Sequence, residues 1–314
     1  MNKKIGLIVG AIIIALGGFF ALSKLNVNKE SALAGKEMVT ITHRKGETKV
    51  PKNPERVVVL DYGSLDIMNT IGKEPIGLAK ANLTNYLSKY KDDKYADVGT
   101  LKEIDMEKIN ELNPDLIIIE GRQESFYEEL KKIAPTIMLG TDGSNHFGSL
   151  EANLKAIGTI YGLENELKEK MDSLNKRVEE INKKINADNK TALVTMVNEG
   201  KMSVFGKGSR FGIMYDKFGF TPADEKIEVS KHGQNISYEY LVSKDPDYLF
   251  VIDKGIVAGG NQKPAKDVVE NDLTKKTKAY KDGKIIYLDT QVWYLGGSGL
   301  MSTELMLDEI EKAL

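Results

Sequence analysis

The most regular apolar spacing in this chain lies between residues 163 and 186, LENELKEKMDSLNKRVEEINKKIN. Leu163, Leu167, Met171, Leu174, Val178, Ile181 and Ile185 follow one another by three or four positions, which places them on one face of a helix. Lys, Glu, Asp, Asn and Arg occupy the other faces. Neither Gly nor Pro interrupts the run, so it predicts a rod of about 24 residues and about 36 Å. Gly162 separates it from a preceding helical stretch over residues 149–161. A single run of this kind with an α/β pattern on each side predicts a stiff strut between two globular lobes. A coiled-coil arm is the competing interpretation.

Before the strut, residues 38–50 alternate apolar and polar positions around Lys45-Gly46, as in a small hairpin. Short β-branched runs at 56–61 and 115–120 read as buried strands, with weaker strand signals at 74–78 and 136–139. Helical patterns at 65–71, 104–112 and 124–134 lie between them. Such alternation implies mostly parallel pairing. After the strut the pattern recurs. Strands are expected at 191–197, 202–204, 248–253 and 285–288, and helices at 211–218, 236–242, 268–275 and 300–313. A helix, then Asn113-Pro114-Asp115 and an apolar run in the first half, is matched by a helix, then Asp245-Pro246-Asp247 and an apolar run in the second. This is a weak internal symmetry.

The chain opens with Lys3 and Lys4 ahead of an unbroken apolar run over residues 5–22. That pattern is an export signal. At about 18 residues the run also suffices to span a bilayer. Both outcomes stay open, a cleaved signal with Ala32-Leu33-Ala34 as the processing site or an uncleaved anchor. Residues 24–37 form a polar tether. The expected organisation is 1–37 signal or anchor and tether, 38–148 first α/β lobe, 149–188 connecting helices, and 189–314 second α/β lobe.

Composition removes several functions. There is no cysteine among the 314 residues, which excludes disulfides, thiolate metal sites, a cysteine nucleophile and a lipid-modified cysteine. Net charge is −2, and residues 1–38 carry five Lys against two Glu, leaving −5 for the rest. Nothing in that balance suits nucleic acid. An anionic ligand would need a local cluster of cations. Residues 206–212 (GKGSRFG) lack the spacing and context of a dinucleotide fingerprint, and residues 296–300 have Leu300 where a nucleophile elbow needs glycine. His43 and His146 have no partners at metal-ligand spacing, and His146 is expected in a loop.

Five stretches carry a resemblance: KNPERVVVLDYGSLDIM, IDMEKINELNPDLIIIEGRQESFYEELKKIAPT, FGKGSRFGIMYD, HGQNISYEYLVSKDPDYLFVID and DTQVWYLGGSGL. With the single strut, they resemble the helix-linked (class III) substrate-binding proteins of iron–siderophore ABC importers. The likeness is greatest to the branch that binds ferric catecholates of the petrobactin and enterobactin-fragment type. It covers residues 38–314 in order. It implies an α/β fold of two Rossmann-like lobes joined by one long backbone helix, with the ligand cleft between the lobes. It implies no catalysis and no intrinsic cofactor. The cargo is Fe(III) as a siderophore complex, and the partner is a membrane permease. A monomer held in the periplasm or at the outer face of the cytoplasmic membrane is expected.

Ligands of open α/β sheets sit beyond the carboxyl ends of strands. The strand ends here carry Asp61-Tyr62, Gly121-Arg122, Gly208-Ser209-Arg210, Asp253-Lys254 and Trp293-Tyr294. By the resemblance, Arg122, Arg210 and Lys254 surround the anionic complex, with Tyr62 and Trp293 among the ligand contacts. The family usually has arginine at the position of Lys254, so the planar fork is lost there and the charge is kept. A siderophore with two catecholates fills four of the six iron positions. His232 and Tyr294 match the residues that complete the shell in the resembling branch, and imidazole suits iron. Two other readings stand beside this one. In one, the same fold binds haem through Tyr294 or His232. In the other, the chain is an esterase pairing His232 with Ser209 or Ser298. The family likeness also implies an acidic permease contact on each lobe, with Glu103 or Glu107 and Glu225 or Glu228 as candidates.

Overall fold

The computed structural model describes residues 35–259, 263–296 and 298–314. The expected signal or anchor falls outside these residues. Among the described residues, no helix is long and apolar enough to cross a membrane.

The chain begins with an antiparallel hairpin, β1 (Met38–His43) and β2 (Gly46–Pro51), as the alternation required. The first large sheet contains β3 (Val57–Val59), β4 (Gly77–Leu78), β5 (Ala96–Asp97), β6 (Leu116–Ile119) and β7 (Thr136–Met138). Its spatial order is β5-β4-β3-β6-β7 and every pairing is parallel. The chain therefore reverses its winding between β3 and β6, and the carboxyl ends of these strands open a crevice. Asp61 and Arg122 follow those two ends.

The second sheet contains β8 (Thr191–Asn198), β9 (Lys201–Phe205), β10 (Thr221–Pro222), β11 (Gln234–Ile236), β12 (Tyr248–Asp253) and β13 (Ile285–Leu288). Its order is β11-β9-β8-β12-β13, with β10 beside the start of β8. Here the expectation of parallel strands fails in part: β9 returns antiparallel on β8, and β11 is antiparallel to β9. Glu199 and Gly200, both at positive φ, close the β8–β9 turn. Only two residues join these strands, and a parallel crossover needs a dozen or more.

The strut runs Glu164–Asp188, and Leu167, Met171, Leu174, Val178, Ile181 and Ile185 are its buried residues. Gly162, left-handed at φ 68, ends the preceding helix His146–Tyr161. The buried stripe belongs to one continuous core that includes Val57, Val59, Leu116 and Ile118 of the first sheet and Ala192, Val194, Phe250 and Ile252 of the second. Alternate residues of the same strands face two outer cores, Val58, Ile117 and Ile119 in one and Leu193, Leu249 and Val251 in the other. Burying six large side chains of the strut is worth on the order of 10 kcal/mol as an upper bound.

The closing helix Leu300–Ala313 packs on the strut and on the first-lobe helix Tyr62–Thr70. Arg177 of the strut donates to Asp308 at 2.6 Å and to Glu311 at 3.0 and 3.1 Å. The last helix thus crosses back from the second sheet to the first.

Candidate functional site

A cleft of about 630 Å³ lies between the two sheets. The first lobe lines it with residues 120–122, 141–144 and 146, the second with 208–211, 213 and 229–231, and the connection between β13 and the closing helix with Trp293, Tyr294, Leu295 and Ser298. The lobes touch at its edge. A Cβ on Gly143 would stand 2.8 Å from the Arg210 Cα, so no side chain fits between them.

Arg122 stands just beyond β6. Its guanidinium pairs with Glu120 and donates to the Tyr294 carbonyl oxygen at 3.3 Å. Arg210 comes from the turn after β9 and donates to that same carbonyl. Its guanidinium also lies over the Tyr294 ring, 4.0 Å from the centroid. Burial pushes the Arg210 pKa down, and the neighbouring Tyr294 opposes that shift. The receiving carbonyl belongs to a π-helical turn, Gln291–Gly296. Turns of this type leave carbonyls free for side-chain donors and occur often at functional sites. Two cations from different lobes thus converge on one residue, Tyr294, in the segment between β13 and the closing helix.

The other expected site residues divide. Lys254 also lies by Tyr294, its Nζ 6.0 Å from the ring centroid. It does not line the cleft. Trp293 lines the cleft but is 3 % exposed, and its indole N–H donates to Glu309 at 2.7 Å. His232 is exposed and stands one residue beyond the lining residue Lys231, without itself reaching the lining. Tyr62 is a correction. It is buried in the main core and its hydroxyl donates to the Ala81 carbonyl at 2.7 Å, because the first turn of its helix points it inward rather than toward the cleft. Ser209 and Ser298 line the cleft, but the Ser209 hydroxyl donates to the Gly206 carbonyl at 2.6 Å. Among the described residues, no three His, Asp or Glu side chains gather as a metal cage.

His146 is a second correction. It is not a loop residue: it opens the helix His146–Tyr161, is buried and lines the cleft. Burial pushes its pKa down to about 4, so the imidazole is neutral at pH 7. Its Nε2 is 3.5 Å from the Thr303 hydroxyl of the closing helix. Asn145 caps this helix by accepting from the Gly148 N–H at 3.1 Å. Asn145 three positions before Gly148 was the available sequence signal. His43 has a structural role in the hairpin, accepting the Met138 N–H on Nδ1 at 3.1 Å.

Behind the cleft lie two buried carboxylates. Asp61 caps the helix Tyr62–Thr70 by accepting the Ser64 N–H at 2.7 Å. Burial, with Glu120 adding repulsion, pushes its pKa up to about 7. Asp66 accepts the backbone N–H groups of Met301 and Ser302 at 3.0 and 2.8 Å, and burial pushes its pKa up to about 6.

The periplasmic binding protein family model matches residues 57–292. The chain is 46% identical over 314 residues to the petrobactin-binding protein YclQ of Bacillus subtilis, covering 99% of this chain and 97% of that one. The crystal structure of that protein superimposes with a TM-score of 0.86 at 47% identity, covering 88% of this chain and 99% of that one. The catecholate-siderophore binding protein VctP of Vibrio cholerae superimposes with a TM-score of 0.83 at 36% identity, covering 88% and 100%. With two α/β sheets, a single connecting helix and a cleft between them, this chain belongs to the periplasmic binding protein family.

Proposed function

We propose that this chain is the extracytoplasmic binding protein of an iron–siderophore ABC importer. It captures a ferric catecholate siderophore in the cleft and hands it to a permease without catalysing a reaction. The observation that carries this reading is the convergence of Arg122 and Arg210, from opposite lobes, on Tyr294. Catecholate oxygens on iron are anionic and planar. Guanidinium forks meet such oxygens with paired, charge-assisted hydrogen bonds. The ligands named for the relatives, petrobactin and a catecholate siderophore, support the same class.

Iron arrives as cargo and brings most of its own donors. Where the siderophore supplies four, Tyr294 and His232 supply the last two. His232 reaches the metal by a shift of residues 229–233, of which Val229, Ser230 and Lys231 already line the cleft. Residues 1–37 act as export signal or anchor, 38–148 and 189–314 as lobes, and 149–188 as the connection. The protein works as a monomer. Glu103, Glu107, Glu225 and Glu228 are all exposed, as contacts for basic permease loops must be. Reversing their charge should abolish uptake and leave ligand affinity intact, and normal uptake in every such variant would rule these contacts out.

The deciding experiment titrates intrinsic fluorescence with a ferric bis-catecholate, ferric citrate and haem. Trp293, the only tryptophan, lines the cleft and reports occupancy. Quenching by the catecholate, with a catecholate-to-iron charge-transfer band, is the expected result. A Soret band with haem and no response to the catecholate would overturn the proposal.

A further inference from the structure

We propose that Glu120 limits how much negative charge the cleft accepts, so that it selects ferric complexes with one net negative charge over those with three. This rests on the function proposed above and concerns the same site.

An anion-binding cleft has no need of a carboxylate, yet Glu120 lines this one and pairs directly with Arg122. The pair is largely withdrawn from water, with the Arg122 and Glu120 side chains 25% and 18% exposed. Glu120 is also held in place, because its backbone N–H donates to Gln123 Oε1 at 3.1 Å and Gln123 is fully buried. Its charge reaches beyond its partner, since it acts on both Asp61 and Arg210. The other charged lining residues differ. Asp142 and Lys231 are exposed at the rim, and Asp142 is occupied by the Ser144 N–H and hydroxyl. The inner cleft therefore sets two guanidinium groups against one carboxylate, and Lys254, 6.0 Å from the Tyr294 ring centroid, brings the net charge around Tyr294 to +2.

Iron(III) bound by two catecholates carries one net negative charge, the Tyr294 phenolate adds a second on binding, and the two match that balance. Iron(III) bound by three carries three, and the excess faces Glu120 in a site where water screens poorly. Rejection by a fixed like charge is a means of specificity that attraction alone does not supply. Coulomb energy is linear in ligand charge. Removing the Glu120 charge should therefore change log affinity about one and a half times as much for the trianion as for the monoanion, which gains the Tyr294 phenolate on binding.

The test compares the full chain with Glu120→Gln, using the ferric complexes of a linear bis-catecholate and of a tris-catecholate as probes. Glutamine keeps the shape and an acceptor for Arg122. Both complexes should bind the variant more tightly. A gain of about ninefold for the monoanion should accompany one of about 27-fold for the trianion, and both should shrink at high salt. Glu120→Asp keeps the charge and should keep the wild-type preference. Equal gains, no gain, or equal losses in the Gln and Asp variants would mean that Glu120 only positions Arg122, and the inference would fail. A wild-type protein that binds neither complex would instead remove the proposed function, and this inference with it.

Discussion

Arg210 meets Tyr294 twice, lying over its ring 4.0 Å from the centroid and donating to its carbonyl oxygen. Both contacts depend on a flat, forked cation. Lysine would keep the charge and lose the stacking and the second donor. Arg210→Lys should therefore weaken a ferric catecholate by about tenfold, the equivalent of ~1.4 kcal/mol. Arg210→Gln should weaken it further, and fluorescence titration ranks the two. Retention of full affinity in Arg210→Lys would reduce the contact to simple charge.

Coordination number separates the roles of Tyr294 and His232. A hexadentate siderophore fills the iron shell alone, and a tetradentate one leaves two positions. Tyr294→Phe and His232→Ala should weaken the tetradentate complex strongly and the hexadentate one much less. The charge-transfer band of the tetradentate complex should move on binding to the wild-type protein, as phenolate replaces water on iron. Equal losses for both ligands in Tyr294→Phe would make the ring a wall of the cleft and nothing more.

Asp61 makes stability depend on pH. Its folded pKa is raised to about 7 from an ordinary value of 3.8, so between these values the folded state holds more protons than the unfolded state. Stability is therefore lost as pH rises through that window. Asp66, raised to about 6, adds in the same direction. Asn at position 61 keeps the cap on the Ser64 N–H and removes the buried charge. Asp61→Asn should gain on the order of 1–3 kcal/mol over wild type between pH 5 and pH 8. Urea unfolding at the two pH values measures it, and a constant difference would contradict the assignment.

Gly299 leaves room for the contact between Asp66 and the closing helix. A Cβ there would stand 2.1 Å from Asp66 Oδ2, the atom that accepts the Ser302 N–H. Gly299→Ala should destabilise the fold by about 2–3 kcal/mol, because a buried carboxylate would lose its donors. Denaturant midpoints give the value, and an unchanged midpoint would mean that the helix shifts at no cost.

The strut restricts how far the lobes can move. Its stripe is embedded in the core shared by both sheets, and Arg177 ties it to Asp308 and Glu311. Ligand binding should close the cleft by a small hinge only. Scattering profiles with and without ligand should nearly coincide, and a fall of several ångströms in radius of gyration would rule this out.

Local periodicity determined the strut, the hairpin and the buried strands β6 and β12, because each element buries a face that its own spacing defines. The stripe from Leu167 to Ile185 is buried residue for residue as the spacing requires. The cations Arg122 and Arg210 were legible from their places after strands, and the resemblance added Tyr294. Tertiary structure decided the rest. Tyr62 follows a strand just as Arg122 does, but its helix turns it into the core, where Ala81 receives its hydroxyl. His146 looked like a loop residue until the helix it opens was packed against the closing helix and the cleft. Asp66 and Ser302 meet across 236 positions, a contact set by the return of the last helix to the first lobe. The pairing of Glu120 with Arg122 spans two positions, but its meaning comes from Arg210 arriving from the other lobe. Apolar burial follows a residue's own neighbours in sequence, whereas the charge balance of a cleft depends on which groups two separate sheets bring face to face.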